Sequence, residues 1–310
     1  MIEYPMERIK TVFIGSNWES LDVLKTLNKN NRFEIVGLIT QGDKPVGRKQ
    51  ILTPTEVKKY GLDNNIPVFI TEANEEKYKD AIELFKPELV VCIAFGEIIP
   101  EFFLEYPKFG AINIHFSILP KYRGAVPIQM AILKGETETG ITVTKMIDKM
   151  DAGPILSIFK EQIKDDDTNQ SLRERLVAIS AQILPDILDK WTKGKIKEVE
   201  QDDTLATYCY KADIAKENAQ VDFKTHTAED IDHMVRAFIP WPVAWTILDE
   251  QRVKIFKVRV LDVFNELKAG ERLEDRKRLV IGTKYKQIEI LELQPEGKNL
   301  MNVGQYLVGR

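Results

Sequence analysis

Cysteine is scarce in these 310 residues: there are two, Cys92 and Cys209. They stand far apart, one inside an apolar run and one where the character of the chain changes. A disulfide framework is therefore not expected to hold the fold together. Histidine is scarce as well. His115, His226 and His233 are the full set, and none has cysteines or acids around it at metal-ligand spacing. A metal-free protein of the cytoplasm is the expectation. No apolar run reaches the roughly 20 residues of a membrane-spanning helix. The N-terminus carries no signal-peptide pattern.

A strong charge of either sign is missing too. Lys and Arg number 44 against 48 Asp and Glu, a net charge of −4, which argues against a general nucleic-acid binder. The balance shifts along the chain. The first 208 residues carry 27 basic and 32 acidic side chains, and the rest carry 17 and 16. That later part holds two positive clusters, Arg252-Val-Lys254-Ile-Phe-Lys257-Val-Arg259 and Arg276-Lys277-Arg278. Either could be a solvated face or an RNA contact. A dinucleotide fingerprint is also absent. The first strand ends in Gly15-Ser16, one glycine where Gly-x-Gly-x-x-Gly needs three, so a nicotinamide cofactor is not expected.

What is present is a core: hydrophobic residues make up 44% of the chain, and its length suits two domains. Continuous apolar runs predict buried strands at 10–16, 33–40, 67–70, 89–94 and 110–115. Helical spacing predicts helices at 19–27 and 74–86, a short one after Pro100, another at 126–134 and a long one at 168–193. Strands at 140–147 and 155–163 precede that long helix. Residues 41–58, with two prolines and two glycines, read as a long loop. Beyond a polar linker at 194–208 come short strands at 243–248, 253–262, 278–283 and 286–293. A helix at 227–238 and one near the end accompany them. The expected architecture is a Rossmann-like α/β domain with a mostly parallel sheet, residues 1–193. A smaller β-rich open barrel of OB-like type, residues 209–310, follows it.

The chemistry concentrates in Gly110-Ala-Ile-Asn113-Ile-His115-Phe-Ser117-Ile118-Leu119-Pro120-Lys-Tyr-Arg123-Gly124. Alternation along a strand puts Asn113 and His115 on one face, at a strand end that breaks into a loop. Further on, Asp148-Lys-Met-Asp151-Ala-Gly153-Pro154 supplies a carboxylate at a turn. An amide, an imidazole and a carboxylate without a serine or cysteine partner make no hydrolase triad. They suit attack by a nucleophile that the substrate itself brings. Asn113 and a protonated His115 can stabilise an oxyanion, and His115 with Asp151 can move protons.

These blocks, with Glu138-Thr-Gly140-Ile-Thr-Val between them, resemble the folate-dependent formyltransferases. The resemblance implies formyl transfer from 10-formyltetrahydrofolate to an amine, without a metal, on a Rossmann-like domain. It implies Asn113, His115 and Asp151 as the catalytic trio and Ser117, Ile118, Leu119 and Pro120 as the folate-contacting loop. Phe116 stands where the family has glycine. Three further blocks are similar to the branch of that family whose acceptor is initiator methionyl-tRNA. They are Thr40-Gln41-Gly-Asp43-Lys-Pro45-Val-Gly47-Arg48-Lys49 with Leu52-Thr-Pro54, then Arg236-Ala-Phe238-Ile-Pro240-Trp241-Pro242, then Leu293-Gln294-Pro295-Glu-Gly297. The first implies Arg48 and Lys49 as contacts to the acceptor end of the tRNA. The second is expected to be a rigid, packed turn. A monomer is expected. The competing branch formylates amino sugars carried on a nucleotide.

Overall fold

A buried strand, Ile9–Ile14 (β1), leads into a helix, Trp18–Asn28 (α1). In this computed structural model, residues 8–309 are described, apart from Arg48 and Asn265. Asn17 starts α1 by accepting the Ser20 N–H, one residue before the leucine spacing predicts. Next come Phe33–Thr40 (β2), Lys44–Val46 (β3), Ile51–Thr53 (β4), Glu56–Asp63 (α2) and Val68–Ile70 (β5). Glu75–Phe85 (α3), Leu89–Cys92 (β6), Glu101–Glu105 (α4) and Ala111–His115 (β7) follow. Then Arg123–Gly124 (β8), Pro127–Leu133 (α5), Glu138–Lys145 (β9), Ile155–Gln162 (β10) and Asn169–Thr192 (α6) lead to Tyr208–Cys209 (β11).

The long loop expected at 41–58 is structured. β3 and β4 pair as an antiparallel hairpin, Lys44 opposite Thr53 and Val46 opposite Ile51. Thr55 then caps α2. The hairpin has no buried face, so no period-two apolar signal marks it. α2 is hidden by Gly61, a poor helix former. That glycine is required by packing: a Cβ there would lie 2.4 Å from Val68 Cγ2.

Two compact units divide the chain. The first comprises Met1–Gly124, Gly140–Glu161 and Glu174–Tyr208. Its sheet has the order β10-β9-β7-β6-β1-β2-β5. The five strands from β7 to β5 run parallel, and β9 is antiparallel to β7. The chain leaves β1 toward β2 and β5, then returns to β6 and β7 on the other side. The reversal between β1 and β6 is a topological switch point, and open α/β sheets bind ligands at the carboxyl ends of strands beside such points. Below that edge, Val12, Ile14, Ile39, Val90 and Ala111 pack on Tyr78, Ala81 and Phe85 of α3 and Phe103 of α4. Tyr78 and Phe103 meet edge to face at 5.0 Å. Truncating the fully buried Phe103 to alanine removes about 3–5 kcal/mol. Residues 194–208 run with this unit: Val199 exchanges two backbone hydrogen bonds with Ile155, at 2.8 and 3.0 Å.

The second unit comprises Ala125–Thr139, Gln162–Arg173 and Cys209–Arg310. Ala228–Ala237 (α7) opens on a Thr227–Asp230 capping box. Trp245–Leu248 (β12), Gln251–Leu261 (β13), Arg272–Glu274 (β14), Leu279–Gly282 (β15), Gln287–Pro295 (β16) and Met301–Asn302 (β17) follow, with Val303–Val308 (α8) last. The sheet order β12-β13-β16-β15-β14 is antiparallel throughout, and β17 pairs with β16. Irregular register near Lys257 marks a bulge in β13, which bends the strand and curls the sheet into a half-barrel. The mostly parallel first domain and the antiparallel, OB-like second domain are those expected from the sequence. Along β13, Val253 and Ile255 enter the core while Lys254, Lys257 and Arg259 stay exposed. Buried Glu289 draws on both positive clusters: Arg278 Nε lies 2.9 Å away and Arg259 Nη1 3.4 Å. In the Pro240-Trp241-Pro242 turn, Pro242 is buried but Trp241 is half exposed, so the turn is only partly packed.

Candidate active site

β7 buries Ile112 and Ile114 on one face and presents Asn113 and His115 on the other, which begins with buried Ala111. It lies between β6 and β9, with Cys92 opposite Asn113 on one side and Thr142 opposite His115 on the other. The turn after β9 brings Asp151 back to this strand. Asn113 Nδ2 donates to Asp151 Oδ1 at 3.2 Å. His115 Nδ1 faces Asp151 Oδ2 at 3.5 Å, and the Gly124 N–H donates to that same oxygen at 2.8 Å. The trio named from the sequence therefore converges on one carboxylate.

The imidazole is almost fully buried, and its tautomer follows from its partner. The Tyr122 carbonyl, 2.8 Å from Nε2, can only accept, so Nε2 carries a proton. A second proton, on Nδ1, would point at Asp151. The protonated ring thus has an acceptor for each N–H, and the pair can pass a proton between imidazole and carboxylate. Asn113 is half-buried, and its amide has one more N–H than the bond to Asp151 uses.

Asp151 is held in a left-handed conformation, φ 51°, at the head of a tight turn. Gly153 explains why that turn can form. A Cβ at this position would lie 1.8 Å from the Lys145 carbonyl oxygen, so only glycine lets the turn press against β9.

The loop after β7 is tied down from beneath. Thr142 Oγ1 donates to the Ser117 carbonyl at 2.6 Å and accepts the Leu119 N–H at 3.1 Å. The Ser117 hydroxyl donates to the Lys121 carbonyl at 2.6 Å and is fully buried, as is Leu119. Ile118 and Pro120 keep partial exposure. Phe116 packs into the interior. Ser117 therefore shapes the loop, while Ile118 and Pro120 offer apolar surface of the kind a flat heterocycle fits.

Neither nearby nucleophile is available for covalent chemistry. Ser117 is engaged as described. Burial, with the Asp151 carboxylate adding to it, pushes the Cys92 thiol up to about 12. Attack must come from a group on a substrate. Among the described residues, no group of three or more His, Cys, Asp or Glu is placed to hold a metal ion. No helix among them is long and apolar enough to cross a membrane.

Lys49 is exposed in the turn of the β3–β4 hairpin, and Arg48 lies outside the described residues. The hairpin base is anchored near the site: Gln41 Nε2 donates to the Phe95 carbonyl, just past β6, at 3.0 Å. β2, from which the hairpin springs, stands three strand spacings from β7, roughly 14 Å. Sequence reasoning missed Thr142, the Gly124 N–H and Gln201, which touches the Asp151 turn. Thr142 is one of several strand threonines, and Gln201 lies in a polar stretch without periodicity, so neither had a signal.

Comparison with known proteins places this geometry. The profile described as "Formyl transferase" matches residues 9–188, and that described as "Formyl transferase, C-terminal domain" matches residues 213–310. A methionyl-tRNA formyltransferase of Bacillus cereus (strain G9842) is 37% identical over 305 residues, covering 97% of this chain and 96% of the relative. Among solved structures, the sugar 3N-formyl transferase WlaRD, in the presence of dTDP and 5-N-formyl-THF, aligns with TM-score 0.69 at 24% identity. The alignment covers 94% of this chain and all of that one. An N-formyltransferase of Helicobacter canadensis, in complex with folinic acid and dTDP-3-aminofucose, aligns with TM-score 0.70 at 23% identity. It covers 93% of this chain and 99% of the other. At these identities the two structures establish the shared fold.

Proposed function

Because this chain belongs to the formyl transferase family, we propose that it moves the formyl group of 10-formyltetrahydrofolate onto the amino group of methionyl-initiator tRNA. Near full-length similarity to an enzyme of that name supports the acceptor. The observation that carries the chemistry is the convergence of Asn113, His115 and the Gly124 N–H on Asp151, with no usable nucleophile beside them. The donor supplies an activated formyl carbon. The acceptor's amine attacks it: one C–N bond forms, the bond to the folate N10 breaks, and a proton passes from the amine to the departing nitrogen. Asn113 donates its second N–H to the formyl oxygen as negative charge builds there, and the positive charge of a protonated His115 beside it favours that build-up. Asp151, paired with His115, takes the proton from the amine. The loop Ser117–Pro120 holds the donor, with Ile118 and Pro120 against its ring system.

The tRNA is held from two places in this reading. Arg48 and Lys49 reach phosphates at the acceptor end, and exposed Lys254 and Lys257 of β13 contact its body. Residues 1–193, with the segment 194–208 packed along them, carry the formyl chemistry, and 209–310 serve the RNA. The enzyme works as a monomer in the cytoplasm. Incubation with radiolabelled 10-formyltetrahydrofolate and charged initiator tRNA tests the reading. Acid-precipitable N-formylmethionyl-tRNA is expected, and absence of labelled tRNA refutes it.

A further inference from the structure

We infer that Gln201 is a positioning residue for Asp151, and that buried Arg123 sets Gln201 for that task. The inference rests on the reading of Asp151 as the proton-handling carboxylate. It starts from the segment that follows the long helix α6. Val199 and Ile155 exchange both backbone hydrogen bonds, and antiparallel pairing from that point puts residue 201 opposite residue 153. The Gln201 side chain reaches the turn there. Its Nε2 donates to the Asp151 carbonyl at 2.9 Å and to the Gly153 carbonyl at 2.7 Å. The first of these carbonyls belongs to the left-handed Asp151 itself and the second to the glycine two residues on, so the amide clasps the turn that Asp151 heads. A non-glycine residue in that conformation persists only where its surroundings hold it.

The other end of the amide is fixed as firmly. Gln201 Oε1 accepts from Arg123 Nε at 3.1 Å and from Arg123 Nη2 at 2.9 Å. Two carbonyls on one side and a guanidinium on the other allow the amide only one orientation. Arg123 is among the largest fully buried side chains, and Asp203 at 2.7 Å and the Tyr208 hydroxyl at 3.4 Å hold it in turn. The residue after Arg123 is Gly124, whose N–H binds Asp151 Oδ2. A closed circuit results. Asp151 is gripped at its carboxylate by Gly124 and at its carbonyl by Gln201, and Arg123 joins the two grips. The circuit sets where the carboxylate stands relative to Asn113 and His115, and no member of it beyond Asp151 needs to touch a substrate.

The test uses the full-length enzyme and steady-state formylation of charged initiator tRNA. Gln201→Leu keeps the volume and removes the hydrogen bonds. Gln201→Glu keeps an acceptor for Arg123 and removes both donors to the turn. Each should lower kcat about tenfold to a hundredfold, in line with a displacement of near 1 Å, with both KM values within about twofold. In an Asp151→Asn background, Gln201→Leu should add less than about twofold, because the group it positions is already gone. Thermal unfolding establishes that each variant is folded, and if Gln201→Leu is not, Gln201→Glu carries the test. Wild-type kcat in a folded Gln201 variant overturns the inference, as does a loss that multiplies fully with Asp151→Asn. Wild-type kcat for Asp151→Asn alone overturns instead the reading of the site on which the inference stands.

Discussion

Gly153→Ala should lower kcat by about two orders of magnitude in a protein that still folds. The added Cβ would sit 1.8 Å from the Lys145 carbonyl oxygen, and 3.0 Å is already closer than real Cβ contacts come. The turn therefore has to move by about 1.2 Å, and displacement of that size at a reacting group typically costs near a hundredfold. Lys145 cannot yield instead. Its N–H is bonded to the Pro154 carbonyl at 3.0 Å, and β9 is paired with β7 along this stretch. Asp151 moves with the turn, so its bonds to Gly124 at 2.8 Å and Asn113 at 3.2 Å lengthen beyond hydrogen-bond range. A hundredfold corresponds to about 2.7 kcal/mol of transition-state stabilisation. The assay is initial-rate formylation at saturating donor and charged tRNA, with thermal unfolding measured alongside. A folded Gly153→Ala enzyme with normal kcat, or one altered only in KM, would refute the claim that this turn sets the carboxylate.

Four other outcomes are expected. His115→Ala and Asp151→Ala should each lower turnover about a hundredfold or more without unfolding the protein, since both act on charge that develops in the transition state. A near-normal rate in either would end the assigned mechanism. Arg48→Ala should reduce kcat/KM for charged tRNA by a factor that shrinks as salt rises, and leave the folate Kd unchanged; collapse of folate affinity would move the loop to the donor site. The double change Lys254→Glu with Lys257→Glu should raise KM for tRNA only, and unaltered tRNA use would remove β13 from the RNA surface. Cys92, with its thiol near 12 against an ordinary 9.0, keeps its proton in the folded state between those values while the unfolded thiol loses its own. It therefore contributes stability that falls as pH rises above about 9. Alkylation at pH 8 should spare it until the protein unfolds, and rapid labelling of the native protein, read by mass spectrometry, would contradict this burial.

Much of this arrangement is legible in the sequence because its signals are periodic and its chemistry is dense. The apolar runs around Val12, Ile39 and Val90 are strands of the parallel sheet, and alternation at 111–115 puts Asn113 and His115 on one face. The parts that escape reading lack periodicity. The β3–β4 hairpin buries no face, and α2 carries Gly61 inside it, so both vanish into an apparent loop. β14 and β17 are two or three residues long, too short for any pattern to emerge. The supports of the site are harder still. Gln201 sits in a charged stretch that composition alone marks as a linker, and its role comes from pairing between Val199 and Ile155, residues 44 positions apart. Thr142 looks like any strand threonine until the loop it fastens is folded over it.

The most direct test offers the enzyme a choice of acceptor. Labelled 10-formyltetrahydrofolate is mixed with equal concentrations of charged initiator tRNA and a dTDP-linked amino sugar, and the label on each is counted at early times. The present account predicts that nearly all of the label enters the tRNA, as an alkali-releasable N-formylmethionine. Label accumulating on the amino sugar instead would contradict it and assign the chain to the other branch of its family.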